Sequence, residues 1–185
     1  LAAALLPLGS GACGVDSLES ADLARSQAPL IGGTVSTGDP GVVALTRGGT
    51  SSFCTGTLVS PSVILTAAHC IDMLGADPNA AIYFGSDTTG AGEQIAVRTK
   101  KQHPLWTGDL SGGHDVGMMV MAFPAKNPDD AQRLNASVIS NHLGADYRHV
   151  GFGVYDRATG AADGQKRTGT TTLASTRGDV INSGD

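Results

Sequence analysis

Short β-branched runs separated by turn-forming residues predict an all-β protein. Across 185 residues the 26 Gly and 8 Pro are scattered between those runs, a pattern that favours many strands joined by turns. Apolar residues make up 41% and charged residues 16%, which suits a packed protein rather than a disordered one. Length alone admits one large domain, or one domain with part of a second.

The elements follow in chain order. Leu1-Ala2-Ala3-Ala4-Leu5-Leu6-Pro7-Leu8 has the character of the end of a signal peptide's apolar region, with small residues from Gly9 to Ala12 behind it. That run is too short to span a bilayer, and no other stretch is apolar enough for a membrane helix. Cys13 follows Ser10-Gly11-Ala12, an arrangement similar to a bacterial lipoprotein processing site, with Ser10 where leucine is usual. A lipid anchor at Cys13 and plain cleavage that leaves a free thiol are both open. Gly14 to Pro29 is polar and strand-poor, so residues 1–29 read as a signal-peptide remnant and a linker or pro-segment, with a boundary at Leu30.

Beyond it, strands are expected at Val42-Val43-Ala44-Leu45, Thr57-Leu58-Val59, Val63-Ile64-Leu65, Ala81-Ile82-Tyr83-Phe84, Ile95-Ala96-Val97 and Val116-Gly117-Met118-Met119-Val120-Met121. From Pro124 the chain turns polar, and residues 126–147 read as a connection headed by Lys126-Asn127-Pro128-Asp129-Asp130. A strand pattern resumes at Val150-Gly151-Phe152-Gly153-Val154. After the Gly-rich loop from Thr159 to Gly164, Thr170-Thr171-Thr172-Leu173 supplies another strand.

The formal net charge is −5 and no basic cluster occurs, which argues against nucleic acid, because phosphate binding needs concentrated Lys and Arg. His103, His142 and His149 stand without companions at a zinc-ligand spacing, so no metal and no cofactor is expected. Asn135-Ala136-Ser137 and Arg177-Gly178-Asp179 spell short recognition patterns that arise readily by chance.

One segment is far more specific. Cys54-Thr55-Gly56-Thr57-Leu58-Val59-Ser60-Pro61-Ser62-Val63-Ile64-Leu65-Thr66-Ala67-Ala68-His69-Cys70 closely resembles the histidine segment of the chymotrypsin-like serine proteases. Leu30-Ile31-Gly32-Gly33-Thr34 is similar to the mature amino terminus of these enzymes, and Gly151-Phe152-Gly153 to the Gly-Trp-Gly that opens their second domain. The resemblance therefore runs from about Leu30 to the end of the chain. It implies two antiparallel β-barrels of the chymotrypsin type. Residues 30–125 would form the first barrel, carrying His69 and Asp115, and residues 148–185 would begin the second.

Read alone, His69 would be a satisfied core or turn histidine, and Asp115 a solvated loop carboxylate with Asp109 as a competitor. The resemblance assigns them to a Ser/His/Asp triad. In that assignment His69 is the general base, and Asp115, followed by an apolar run like the family's Asp-Ile-Ala-Leu, orients it. Gly117 stands where alanine is usual. The same resemblance pairs Cys54 with Cys70 in a disulfide, worth roughly 3 kcal/mol through loop closure, and so implies export. The bland alternative is two buried free thiols in a cytosolic protein. Leu30, with Ile31 second, matches the new amino terminus freed on activation, although Pro29 precedes it and the nearest basic residue is Arg25.

The third triad member is not found. No Gly-Asp-Ser-Gly-Gly occurs, and Ser183-Gly184-Asp185 reverses the order at the carboxyl end. Together with Leu1 in place of Met, this predicts a fragment whose second barrel is truncated and which is inactive alone. The expected function of the parent is a secreted serine endopeptidase acting on protein or peptide substrates. The alternative is a catalytically dead homologue serving as a secreted binding module.

Overall fold

The computed structural model describes residues 33–137, 139–154, 162–177 and 180–183. Strand β1 spans Thr34–Val35, β2 Val42–Arg47, β3 Ser51–Ser60 and β4 Val63–Thr66; helix α1 spans Ala68–Leu74. After it come β5 (Ala80–Phe84), β6 (Glu93–Gln102), β7 (Gly117–Met121), β8 (Asp146–Gly151), β9 (Arg167–Arg177) and β10 (Val180–Ser183). Six of these close into a barrel in the order β2-β3-β4-β7-β6-β5, every ladder antiparallel. A second sheet is built on β9, which pairs with β8, β1 and β10.

Side-chain alternation fills the barrel. Val43 and Leu45 of β2, Leu58 of β3, Ile64 of β4, Ile82 of β5, Ile95 of β6, and Met119 and Met121 of β7 share one buried core. Each such side chain contributes roughly 1.5–3 kcal/mol on burial. Closure needs one close approach, at Gly56. A Cβ there would lie 2.4 Å from Ile64 Cγ2, so β3 can curve over β4 only without a side chain at that position.

Strand β2 is buried on both faces, which is why its sequence is a continuous apolar run rather than an alternation. Its outer residue Ala44 packs with Tyr83 and Phe152 in a second cluster that joins the barrel to the second sheet. Phe152 also explains why β8 stops at Gly151, short of the strand expected through Val154. The Phe152 N–H donates to Thr55 Oγ1 on β3 at 2.9 Å, so it leaves the ladder.

Helix α1 was not foreseen in the sequence. Seven residues are too few to show a helical period, and so short a helix is not stable by itself. Packing holds it, with Ala68, Cys70, Ile71 and Leu74 buried. Among the described residues no helix is long and apolar enough to cross a membrane.

The segment from Ser36 to Asp39 is tied to the second sheet by charge. Lys166 is 1% exposed, and its Nζ donates to the carbonyls of Asp39 at 2.8 Å and Gly38 at 3.2 Å, above the Phe152 ring. Burial pushes its pKa down, with the nearby Asp39 charge opposing the shift. Arg148 grips Asp39 with both guanidinium nitrogens, Nη1 to Oδ2 at 2.7 Å and Nη2 to Oδ1. That hydrogen-bonded guanidinium holds the Asp39 carboxyl below its ordinary 3.8.

A lowered folded-state pKa means that this stabilisation is complete above the ordinary carboxylate pKa and is lost as pH falls through the folded value. Asp39→Asn keeps a residue tolerant of the left-handed backbone at this position (φ 55). Because Arg148 is half exposed, solvent screening keeps the loss small. Urea unfolding should show that deficit at neutral pH. It should shrink toward zero in acid, so the variant's stability profile is flatter than that of the parent chain.

Candidate active site

The end of β4 and the start of β7 are paired, Thr66 opposite Gly117. That register sets His69, three residues after Thr66, beside Asp115, two residues before Gly117. Helix α1 begins at Ala68 after an extended Ala67 that supplies no side-chain cap, leaving the first helical N–H groups without intrahelical partners. Asp115 takes one of them: the His69 N–H donates to Asp115 Oδ1 at 2.8 Å. Its other oxygen, Oδ2, lies 2.7 Å from His69 Nδ1. One carboxylate thus fixes both the backbone and the ring of the histidine. With an anion at Nδ1 the ring proton sits there, and Nε2 presents a lone pair.

The approach to Asp115 is stiff. Asp109, the competing aspartate, is used up by its own 3-10 turn, where its carboxylate accepts from the Ser111 N–H at 2.9 Å and the Ser111 hydroxyl at 2.8 Å. His114 then adopts a left-handed backbone (φ 61) and stacks on His103 with ring centroids 4.9 Å apart. His142 lies in a 3-10 turn and His149 on β8.

The Cys54–Cys70 disulfide joins β3 to α1 with Cα atoms 6.1 Å apart. Cys70 Sγ lies 3.5 Å from His69 Nε2. The side chains of His69 and Asp115 remain 30% and 24% exposed, so the imidazole is held yet reachable from solvent.

A clamp on α1, one turn beyond His69, had no signal in the sequence. Gln102 Nε2 donates to the Ala68 carbonyl at 2.9 Å and to Asp72 Oδ1 at 2.7 Å, and Trp106 Nε1 donates to Asp72 Oδ2 at 2.7 Å. The Trp106 hydrogen bond, then that of Gln102 and the nearby His69, hold the Asp72 carboxyl below its ordinary value. Thr55 was also missed; its carbonyl accepts from Thr66 Oγ1 at 2.9 Å. Cys13, Leu30 and Ile31 lie outside the described residues.

Comparison with known proteins places the chain and its fold. The family model described as Trypsin matches residues 31–183. Human chymotrypsin-like elastase family member 1 is 29% identical over 113 residues, 55% of this chain and 42% of the relative. Glucanase inhibitor protein 1 of Phytophthora infestans is 33% identical over 141 residues, 71% of this chain and 51% of the relative. The chain spans about half the length of these curated relatives.

Among solved structures, mouse brain neuropsin, a serine protease, superposes with a TM-score of 0.61 at 18% identity, over 77% of this chain and 63% of that one. Human heparin binding protein gives 0.68 at 15% identity, over 84% and 72%. A scabies mite inactivated protease paralogue gives 0.65 at 20%, over 79% and 64%. At such identities the likeness speaks to the fold alone, and that fold is the chymotrypsin type expected from the sequence.

Gly117 departs from the family's usual alanine for a local reason. A Cβ there would lie 2.5 Å from Ile71 Cδ1. The new Cβ must push that terminal methyl aside and would also stand 3.3 Å from the Ala67 and Lys101 carbonyls, so Gly117→Ala should destabilise the chain by about 1 kcal/mol through overpacking. Ile71→Val removes the obstructing methyl, so the double variant should recover most of that loss. Chemical unfolding of the four chains measures the coupling; strictly additive losses would refute the steric account.

Proposed function

The chain belongs to the trypsin family of serine proteases, and on that premise we propose that its parent protein is an exported endopeptidase that hydrolyses peptide bonds through an acyl-enzyme. The observation that carries the proposal is the doubly held imidazole. His69 is fixed through Nδ1 and its own N–H by Asp115, with Nε2 left to accept a proton.

In this reading His69 takes the hydroxyl proton of a serine as that oxygen attacks the scissile carbonyl. The carbonyl bond pair moves onto oxygen, and the collapsing intermediate expels the amine, which receives the proton from His69. Asp115 keeps the imidazole in the productive tautomer and stabilises its charged form. A water then repeats the sequence on the ester and releases the acid. The serine and the amides that would stabilise the oxyanion are assigned to the parent beyond these 185 residues. Cys54 and Cys70 brace the histidine loop, and their disulfide supports export, since such bonds persist in oxidising compartments.

A second reading is a homologue that keeps the fold for binding without hydrolysis. One similarity favours it: a relative at 33% identity is named a glucanase inhibitor. The two readings separate on one reagent. If the parent is an enzyme, a serine-directed phosphonate labels it covalently, and His69→Ala slows labelling by about 10⁴-fold or more. A parent that folds, keeps His69 and Asp115, has been cleaved to free an amino terminus at Leu30, and still takes no label is the binding module.

A further inference from the structure

We propose that reduction of the Cys54–Cys70 disulfide converts the histidine site into a zinc site, with Cys54 Sγ, Cys70 Sγ and His69 Nε2 as ligands. The three atoms already lie within 4.8 Å of one another. Tetrahedral zinc, with Zn–S about 2.3 Å and Zn–N about 2.0 Å, needs a sulfur–nitrogen edge of about 3.5 Å. The Cys70 Sγ to His69 Nε2 distance is 3.5 Å. Two other edges must change: the sulfurs must separate to about 3.8 Å, and Cys54 Sγ, the atom farthest from Nε2 within the 4.8 Å cluster, must approach that nitrogen to about 3.5 Å. Cys54 lies on a strand and Cys70 on α1, with Cα atoms 6.1 Å apart, so the movement falls on the Cys54 side chain.

The outer contacts suit a metal as well. A zinc-bound imidazole characteristically donates its other ring N–H to a carboxylate, which fixes the ring and raises the basicity of the ligating nitrogen. His69 Nδ1–H already donates to Asp115 Oδ2 at 2.7 Å. Asp72, one helical turn beyond His69, adds a second negative charge on the same side, while Gln102 and Trp106 are neutral. His103 and His114 stack on each other. Cys54 is half-buried and Cys70 nearly fully buried, and the partly exposed imidazole edge leaves room for water as the fourth ligand.

The chemistry balances simply. A phosphine takes up the oxygen of one water and becomes its oxide; its two electrons break the sulfur–sulfur bond, and the two water hydrogens complete two thiols. Zinc then displaces both thiol protons and occupies the Nε2 lone pair. While that lone pair is bound, it cannot accept a proton from a nucleophile. The disulfide accordingly keeps the imidazole available, and its loss gives the same atoms to a metal. This inference needs no serine and is independent of the proposed enzyme.

The test uses the whole chain, reduced with a water-soluble phosphine and titrated with zinc against a chromogenic chelator. One equivalent should bind, releasing two protons, while the oxidised chain binds far more weakly. Cadmium in place of zinc should give a thiolate-to-metal charge-transfer band. Asp115→Asn should weaken zinc binding by about 10–100-fold, the usual cost of losing such an outer partner, and His69→Ala by at least as much. Equal zinc affinity of the reduced and oxidised chains would overturn the proposal. So would an unchanged affinity in His69→Ala, or a reduced chain that loses cooperative melting and does not regain it with zinc.

Discussion

The Asp115 carboxylate is the contact on which the histidine site depends. It replaces the side-chain cap that Ala67 cannot provide to α1 and holds the His69 ring with its second oxygen. The two tasks reinforce each other, since an amide and an imidazole of the same residue converge on one rigid anion. A hydrogen bond to a charged acceptor is worth about 1.5–3 kcal/mol, and here neither partner has to be fully desolvated. The barrel register that sets Thr66 opposite Gly117 brings the groups together without a long, flexible connection.

Strand β3 carries that arrangement outward. Cys54 ties it to α1, and Thr55 accepts a hydrogen bond from Thr66 through its carbonyl and from the Phe152 N–H through its hydroxyl. Consecutive residues of one strand thus brace the histidine loop and the first turn after β8. A Cβ at Gly151 would meet Thr55 Oγ1 at 2.8 Å, so the close approach of the second sheet rests on a missing side chain. Buried Lys166 completes the joint by donating to the Gly38 and Asp39 carbonyls while its Nζ lies over the Phe152 ring.

Much of this was legible in the sequence, for different reasons at different places. Strand runs such as Val42–Leu45 and Val63–Leu65 declare themselves by composition, and the histidine segment by its order of residues. Helix α1 was invisible because its stability comes from the disulfide and from Ile71 and Leu74 in the core, not from its own seven residues. The Asp72–Gln102–Trp106 clamp joins residues 30 and 34 positions apart by side-chain hydrogen bonds that leave no periodic trace. The early end of β8 had the same cause, a backbone N–H diverted to a threonine on another sheet. Gly117 carried a readable anomaly, but only the position of Ile71 gives it meaning.

The histidine environment does not by itself select one chemistry. A neutral imidazole with Nδ1–H bound to a carboxylate presents a basic Nε2, and that lone pair will serve a proton or a metal equally. What decides between them is the state of the neighbouring sulfurs. Joined as a disulfide they are poor ligands, and the imidazole faces solvent with nothing to coordinate. Separated, Cys70 Sγ stands at ligand distance from that nitrogen and Cys54 Sγ within reach of it, in a shell already carrying two carboxylates. The disulfide beside the histidine therefore has a chemical role as well as a mechanical one, because it removes two thiolates that would compete for the lone pair.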